Sequence, residues 1–143
     1  MSYLKSINPE SLGAPRGYSN GMLSLPGGRL LCVAGQIAWD RNQTLVGETF
    51  GEQFHQALAN VLTVVRAAGG HAEHVAQLTI YVTDKGEYLA QTEAVGAKYR
   101  ALMGRHFPAM ALVEVAGLLD PAAKVEIQAL AVIPAQAEAL DVP

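Results

Sequence analysis

The stretch that decides the fold is FPAMALVEVAGLLDPAAKVEIQALAVIP, residues 107–134. Apolar side chains alternate along both halves of it, and the turn residues Asp120 and Pro121 separate the halves, which predicts two β-strands. In the second strand Glu126 and Gln128 share one face, whereas Val125 and Ile127 lie on the other. Leu130 and Val132 make the face of Glu126 partly apolar as well. Glu126 is therefore a candidate for a partly desolvated, functional carboxylate, although its strand position alone favours a solvated carboxylate near the strand end.

The composition predicts one compact domain spanning residues 1–143. Half of the 143 residues are apolar, 16% are charged, and the net charge is −3. No Lys/Arg cluster is present, which argues against a nucleic-acid partner. The N-terminus has no apolar leader and no run reaches membrane-spanning length, so we expect a cytoplasmic protein that does not bind membranes. Cys32, the sole cysteine, is expected to be a buried small hydrophobe.

The N-terminal part predicts an arm followed by a hairpin. Residues 1–17 are rich in Pro, Gly and Ser, and we interpret them as an irregular arm. Met22–Leu25 and Arg29–Ile37 have strand character, and the turn sequence Pro26-Gly27-Gly28 lies between them. This spacing predicts that the two strands pair as a hairpin. The last nine residues, 135–143, show no pattern.

Two helices are predicted from their caps and apolar spacing. Thr49 and Glu52 have capping-box spacing, and an apolar stripe at helical intervals follows until Gly69 and Gly70 end the helix. Asp84 and Glu87 repeat the capping-box spacing before a second helix that ends at Gly104. A strand, 75–83, lies between the two helices.

The resulting order is strand, strand, helix, strand, helix, strand, strand, which predicts an α+β fold. Two helices with one apolar stripe each can cover one face of a sheet of about five strands. The other sheet face is also apolar and stays uncovered. An apolar face of this size is typical of an interaction surface, so we expect an oligomer in which sheet packs on sheet.

Several common site motifs are missing from the sequence. It contains no GxGxxG, no Walker-A loop, no HExxH, no CxxC and no GxSxG elbow, so no cofactor and no metal site is predicted. His71 and His74 flank a loop and are interpreted as surface histidines. A polar set on strand ends remains as the candidate site: Tyr18, Gln36, Glu114, Glu126 and Gln128. Such groups suit the addition of water to a C=N bond, which needs a carboxylate and hydrogen-bond donors.

The sequence resembles the RidA/YjgF family, also known as L-PSP-type endoribonucleases, over nearly its whole length. Its motifs are FPA, the VEVAxL strand, KVEIQALAV, Gly17–Gly21, Ala34–Ile37 and the strand Leu78–Val82. The resemblance implies a chorismate-mutase-like sheet of five to six strands with two helices on one face. It also implies a homotrimer with the sheets inside and small-molecule clefts between subunits.

The activity implied by the resemblance is hydrolysis of reactive enamines or imines to a carbonyl product and ammonia. Glu126 matches the glutamate that orients water, Tyr18 matches a cleft tyrosine, and Gln36 lies in the matching Gly-Gln-Ile motif. For each of these residues, a hydrogen-bonding role without catalytic duty is the alternative.

The sequence departs from the family at the carboxylate-binding arginine, where Met110 stands. A thioether cannot pair bidentately with a carboxylate. Leu112 and Ala34 replace two further small polar cleft residues of the family, so a more apolar or neutral ligand is expected. Arg16 and Arg105 are candidate replacements for the missing cation.

Two functional classes remain open at this stage. The first is a C=N hydrolase with altered substrate range, and the second is a non-enzymatic trimeric binding or chaperone-like module. An endoribonuclease is a third and weaker interpretation, because the sequence offers no basic stripe.

Overall fold

The computed structural model describes residues 2–135. Its strands are β1 (Leu4–Ile7), β2 (Gly21–Ser24), β3 (Arg29–Gln36), β4 (Val75–Val82), β5 (Ala109–Glu114) and β6 (Val125–Ile133). Its α-helices are α1 (Phe50–Ala67), α2 (Lys85–Ala90) and α3 (Thr92–Met103). Short 3-10 turns occupy Glu10–Leu12 and Ala72–His74. The α+β class predicted from the sequence is confirmed. Of the last nine residues, all but Ala135 lie outside the described residues.

A four-stranded mixed sheet forms the centre of the molecule, in the order β3-β6-β4-β5. β6 is antiparallel to both of its neighbours, whereas β4 and β5 are parallel. A parallel pair needs a long crossover, and α2 and α3 supply it. The strand pair that the opening stretch predicted is therefore present, but β4 lies between its two members.

The predicted hairpin and irregular arm are both wrong. β2 pairs with β1 in a separate two-stranded sheet, in which Leu4 lies opposite Ser24. The arm interpreted as irregular therefore contains a strand. The turn after β2 carries the chain from one sheet to the other, and Gly28 passes so close to the Val132 side chain that a Cβ would collide with it. Sequence spacing identified the turn but not the partner strand.

Helix α1 forms as predicted and covers the sheet. The Thr49 side chain accepts a hydrogen bond from the Glu52 backbone N–H, and the Glu52 carboxylate accepts one from the Thr49 N–H. This capping box satisfies two of the free N–H groups at the helix start. The predicted apolar stripe is buried; it consists of Phe54, Leu58, Val61, Leu62 and Val65.

The second predicted helix is two helices, separated at Gln91. The backbone at Gln91 leaves the helical region (φ −124°), and its side-chain oxygen accepts a hydrogen bond from the Gly51 N–H on α1. Asp84 caps α2 as expected, at the Gly86 N–H. The second capping box does not form, because the Glu87 carboxylate instead pairs with Lys124 at 3.0 Å.

The two faces of the four-stranded sheet differ in cover. The core lies between the helices and one face, which we call the helix face. The opposite face, the open face, exposes Leu30 and Val113. It also exposes Cys32, so the expectation of a buried cysteine is wrong: β3 turns this side chain away from the helices. The uncovered apolar face predicted from the sequence is therefore present in the chain.

Candidate functional site

A cavity of about 240 Å³ lies on the helix face, between β5, α3 and the segment before Tyr18. Its wall is mostly apolar and includes Phe54, Ile80, Val95, Phe107, Met110 and Leu112. Met110 and Leu112 point into it because they alternate with the outward residues of β5. Two of the predicted binding residues, Met110 and Leu112, therefore line one small, apolar cavity.

Two arginines, Arg16 and Arg100, also line this helix-face cavity. Both side chains are exposed. Within residues 2–135, neither guanidinium forms an ion pair with a carboxylate; the ion pair found there is that of Lys124 with Glu87. Arg105, the other candidate cation, lies outside the lining. An apolar cavity with two uncompensated cations at its edge suits an anion that carries an apolar group.

Ser19 positions Arg16 by fixing the segment that carries it. The Ser19 hydroxyl donates a 2.6 Å hydrogen bond to the Phe107 carbonyl, and the Ser19 N–H donates one of 3.1 Å to the Pro108 carbonyl. These bonds form an isolated parallel bridge between Ser19 and Ala109 at the start of β5. Because Arg16 lies three residues earlier, its segment runs along the mouth of the cavity.

Arg100 reaches the cavity from α3, and the sequence interpretation missed it. Thr92, Gly96 and Arg100 follow each other at intervals of four, so they share one helix face, and all three line the cavity. A Cβ on Gly96 would lie 3.2 Å from the Arg100 guanidinium. The glycine therefore leaves room for the guanidinium. The signal in the sequence was this i, i+4, i+8 set with a helix-interior glycine, which resembles an ordinary polar surface.

Tyr99 contributes structure to the helix-face cavity rather than a titrating group. Its hydroxyl donates a 2.6 Å hydrogen bond to the His106 carbonyl, and its ring stacks on Phe107 at 5.6 Å. Burial raises the pKa of the Tyr99 hydroxyl far above its ordinary value. It stays protonated near neutral pH and holds Phe107 against α3.

Glu126 lies on the open face, in a different groove. The groove holds about 420 Å³ and is lined by Gly35, Trp39 and Leu119 among others. A Cβ on Gly35 would lie 2.8 Å from Glu126 Cδ, so the carboxylate packs directly on the glycine backbone. Within residues 2–135 this carboxylate accepts no hydrogen bond, which leaves its oxygens for a water or a ligand.

Two side-chain amides, the buried Gln53 and the half-buried Asn60, fix the surroundings of Glu126. Gln53 on α1 donates to the Gly47 and Ala122 carbonyls and accepts from the Lys124 N–H at 2.8 Å. This fixes Lys124, the residue just before β6 and two residues before Glu126. On the other side of the groove, Asn60 donates to the Trp39 carbonyl at 2.9 Å and so holds the loop that carries the indole.

The cross-strand register places the two sets of predicted residues on opposite faces. Leu112 pairs with Ile80, which pairs with Ile127 in the buried core. The next row, Val113, Tyr81 and Glu126, faces the other way. One chain therefore brings together Arg16, Met110 and Leu112 but keeps Glu126 away from them.

The remaining predicted residues occupy separate positions. Gln128 lines a small depression on the open face beside Cys32. Gln36 donates to the Ala34 carbonyl at 3.1 Å and lines a groove against α1. Tyr18 is 40% exposed near the mouth of the helix-face cavity.

Glu114 has a local structural partner. One of its carboxylate oxygens accepts a 3.0 Å hydrogen bond from the Lys85 N–H. This N–H begins α2, so the carboxylate lies at the positive end of that short helix.

Two further properties concern metals and membranes. Among residues 2–135 no three His, Cys, Asp or Glu side chains lie close enough together to hold a metal ion. None of the helices in these residues is long and apolar enough to cross a membrane.

Comparison with known proteins identifies the family. Residues 9–133 match the family model described as Endoribonuclease L-PSP. The 2-iminobutanoate/2-iminopropanoate deaminase of Salmonella typhimurium is 35% identical over 108 residues, which cover 73% of this chain and 80% of the relative. The chain belongs to the RidA/YjgF family, as its motifs predicted.

Solved structures agree with this assignment. YyfB of Yersinia pestis, a Rid-family protein of unknown function, superposes with a TM-score of 0.81 at 33% identity and covers 92% of this chain and 99% of its own. Escherichia coli TdcF, solved with bound serine, has a TM-score of 0.62 at 27% identity and covers 84% and 91%.

Proposed function

We propose that the chain forms a homotrimer that hydrolyses the C=N bond of small 2-imino acids, or of the enamines that tautomerise to them, to a 2-oxo acid and ammonia. The observation that carries the proposal is the Glu126 carboxylate, which is held against Gly35 on the open face and accepts no hydrogen bond from residues 2–135. The deaminase relatives support the reaction class. The serine bound to TdcF supports a ligand of amino-acid size.

Trimerisation joins the two halves of the active site in this proposal. The open face is apolar and uncovered in one chain, so packing against another copy would bury it. Arg16, Met110 and Leu112 lie on the other side of the same sheet. A neighbouring copy that brings its Glu126 to the mouth of the helix-face cavity would complete the site between subunits.

Glu126 then acts as the proton carrier. It accepts a proton from a water molecule as the water oxygen bonds to the imine carbon, and the C=N π electrons move to nitrogen, to which Glu126 passes that proton. Glu126 then accepts the hydroxyl proton of the carbinolamine and passes it to the amine nitrogen, so that the C–N bond breaks and ammonia leaves. One imine and one water give one carbonyl product and one ammonia, so no redox partner or cofactor enters the balance.

The test is a turnover assay on Glu126→Gln, an isosteric change. An amino-acid oxidase generates the 2-imino acid in place, and release of the 2-oxo acid is followed in competition with a trapping amine. We expect Glu126→Gln to lower turnover about 10²- to 10⁴-fold, the usual contribution of a general acid–base group. The matched control is Glu73→Gln, which changes an exposed carboxylate distant from Glu126 in the sequence. It should keep wild-type turnover.

Three results would contradict the proposal. Wild-type turnover by Glu126→Gln would remove this carboxylate from the mechanism. If the wild-type protein accelerates hydrolysis of no imine yet binds small acids, the chain is a binding module. Sedimentation that gives a 15 kDa species at micromolar concentration would remove the trimer.

A further inference from the structure

The helix-face cavity has features that specify a ligand more narrowly than the reaction class does. Its two arginines are exposed at the edge, and its wall behind them is formed by aromatic and aliphatic side chains. The cations and the apolar wall lie on the same cavity, so a single ligand would have to satisfy both.

The charge argument rests on Arg16 and Arg100. Neither has an ionic partner within residues 2–135, and both line the same cavity. They come from different segments: Arg16 lies in the segment that Ser19 fastens to the residues just before β5, and Arg100 lies on α3. Two guanidinium groups that line one cavity from separate elements offer paired, charge-assisted hydrogen bonds to a carboxylate.

The size argument rests on the cavity volume. About 240 Å³ is the volume of about eight water molecules at liquid density, more than a three-carbon acid fills. Phe54, Ile80 and Val95 form part of the wall and offer no hydrogen bonds from their side chains. A ligand with a methyl side chain would leave much of this apolar surface in contact with water.

The glycine in α3 supports a ligand-binding role for Arg100. A glycine inside a helix weakens it relative to alanine. Gly96 lies at the cavity one turn before Arg100, and an added methyl group there would press on the guanidinium at 3.2 Å. Gly96 thus keeps open the space that the Arg100 side chain uses beside the cavity.

We infer that Arg100, together with Arg16, binds the carboxylate of the substrate, and that the apolar cavity accepts branched or aromatic side chains. The substrate class is 2-imino acids with bulky apolar side chains, as derived from leucine-like or phenylalanine-like amino acids. This inference rests on the proposed function for the reaction, but the binding step is independent of it.

The test measures binding without turnover, using 2-oxo acids as product probes and calorimetry or NMR titration. We expect 4-methyl-2-oxopentanoate to bind roughly 10- to 100-fold more tightly than pyruvate, because its extra carbons bury apolar surface. Arg100→Gln should weaken it by roughly 10- to 100-fold, the effect of losing a charge-assisted hydrogen bond. Arg105→Gln removes the same charge at a residue outside the cavity lining and should change nothing. The uncharged 4-methylpentan-2-one should bind wild type and Arg100→Gln weakly and equally.

The outcomes separate this inference from the proposed function. Equal affinity for pyruvate and the branched acid, or unchanged affinity in Arg100→Gln, would overturn the inference even if imine turnover is high. Loss of affinity in Arg105→Gln but not in Arg100→Gln would overturn it as well. Selective, Arg100-dependent binding without any imine turnover would support the ligand class and refute the catalytic proposal.

Discussion

The hydroxyl of Ser19 donates a 2.6 Å hydrogen bond to the carbonyl oxygen of Phe107, 88 residues further along the chain. This bond joins the N-terminal segment to the residues just before β5, the edge strand of the four-stranded sheet. It fixes Arg16 next to the strand that carries Met110.

Ser19→Ala should therefore affect both stability and binding. Ser19 is buried, and its removal leaves the Phe107 carbonyl without this donor, which should lower the free energy of unfolding by about 1–3 kcal/mol. Binding of 4-methyl-2-oxopentanoate should also weaken, because Arg16 is held less firmly. Urea denaturation and titration measure the two effects. Ser24→Ala, at an exposed serine of β2, should stay within about 0.5 kcal/mol of wild type. Equal stability of the two variants would show that the bond does not hold the segment.

Gly35→Ala should displace the Glu126 carboxylate. The added methyl group would occupy the space of the carboxylate, so imine turnover should fall at least about tenfold, as for a displaced general base. Gly117→Ala is the matched control, because a Cβ on Gly117 meets nothing within 4 Å. Turnover of both proteins is compared with their folding by circular dichroism. A folded Gly35→Ala protein with full turnover would show that Glu126 need not lie where the structure places it.

Gly96→Ala should raise the stability of the fold and lower the affinity for the ligand. Alanine favours the helix over glycine by up to about 1 kcal/mol, and the exposed Arg100 side chain can shift to make room. The shift should weaken binding of the branched 2-oxo acid several-fold. Thermal denaturation and calorimetry on the same samples test this pair of effects. Higher stability with unchanged affinity would mean that Arg100 does not touch the ligand.

The capping box of α1 should make stability depend on acid pH. The hydrogen bonds from the Thr49 N–H and hydroxyl hold the pKa of Glu52 below its ordinary value of 4.5. A carboxylate with a lowered pKa stabilises the fold above its ordinary pKa, and this contribution is lost as the pH falls through the lowered value. Melting temperatures of wild type and Glu52→Gln should therefore differ near pH 7 and converge as the pH falls below 4.5 and through the lowered pKa. A difference that does not change with pH would contradict this.

Mixed subunits should restore activity if the active site is shared. Glu126→Gln lacks the carboxylate, and Met110→Trp fills the cavity of its own chain. Equal amounts of the two inactive proteins, unfolded and refolded together, should recover about a quarter of wild-type turnover, because one neighbouring pair in four combines both intact halves. No recovery from correctly assembled mixed trimers would place both halves in one chain.

The sequence predicted well those features that depend on neighbours along the chain. The caps and stripe of α1 and the ends of β4 to β6 follow from spacing and turn residues. The pairing of β2 with β1 was missed, because strand pairing depends on distant residues that a turn does not specify. The break at Gln91 was missed for a similar reason, since its side chain bonds to Gly51 on another helix.

The candidate site shows the same limit. Alternation in β5 and β6 identified which residues share a face within each strand, but not that Met110 and Glu126 lie on opposite faces of the sheet. That result needs β4 between them, and the order of strands cannot be derived from period-two patterns. Arg100 was overlooked because a charged residue on a helix usually faces solvent.

Each copy has a cavity on one side of the sheet and a carboxylate on the other. Contacts between copies would therefore join two different surfaces. Such contacts run head to tail and end only when a ring closes. In the proposed assembly an open pair of chains would leave one cavity and one Glu126 carboxylate without a partner. A closed ring of three would leave none. Specific activity per chain would then double between the open pair and the closed ring, so the reaction rate itself would report ring closure.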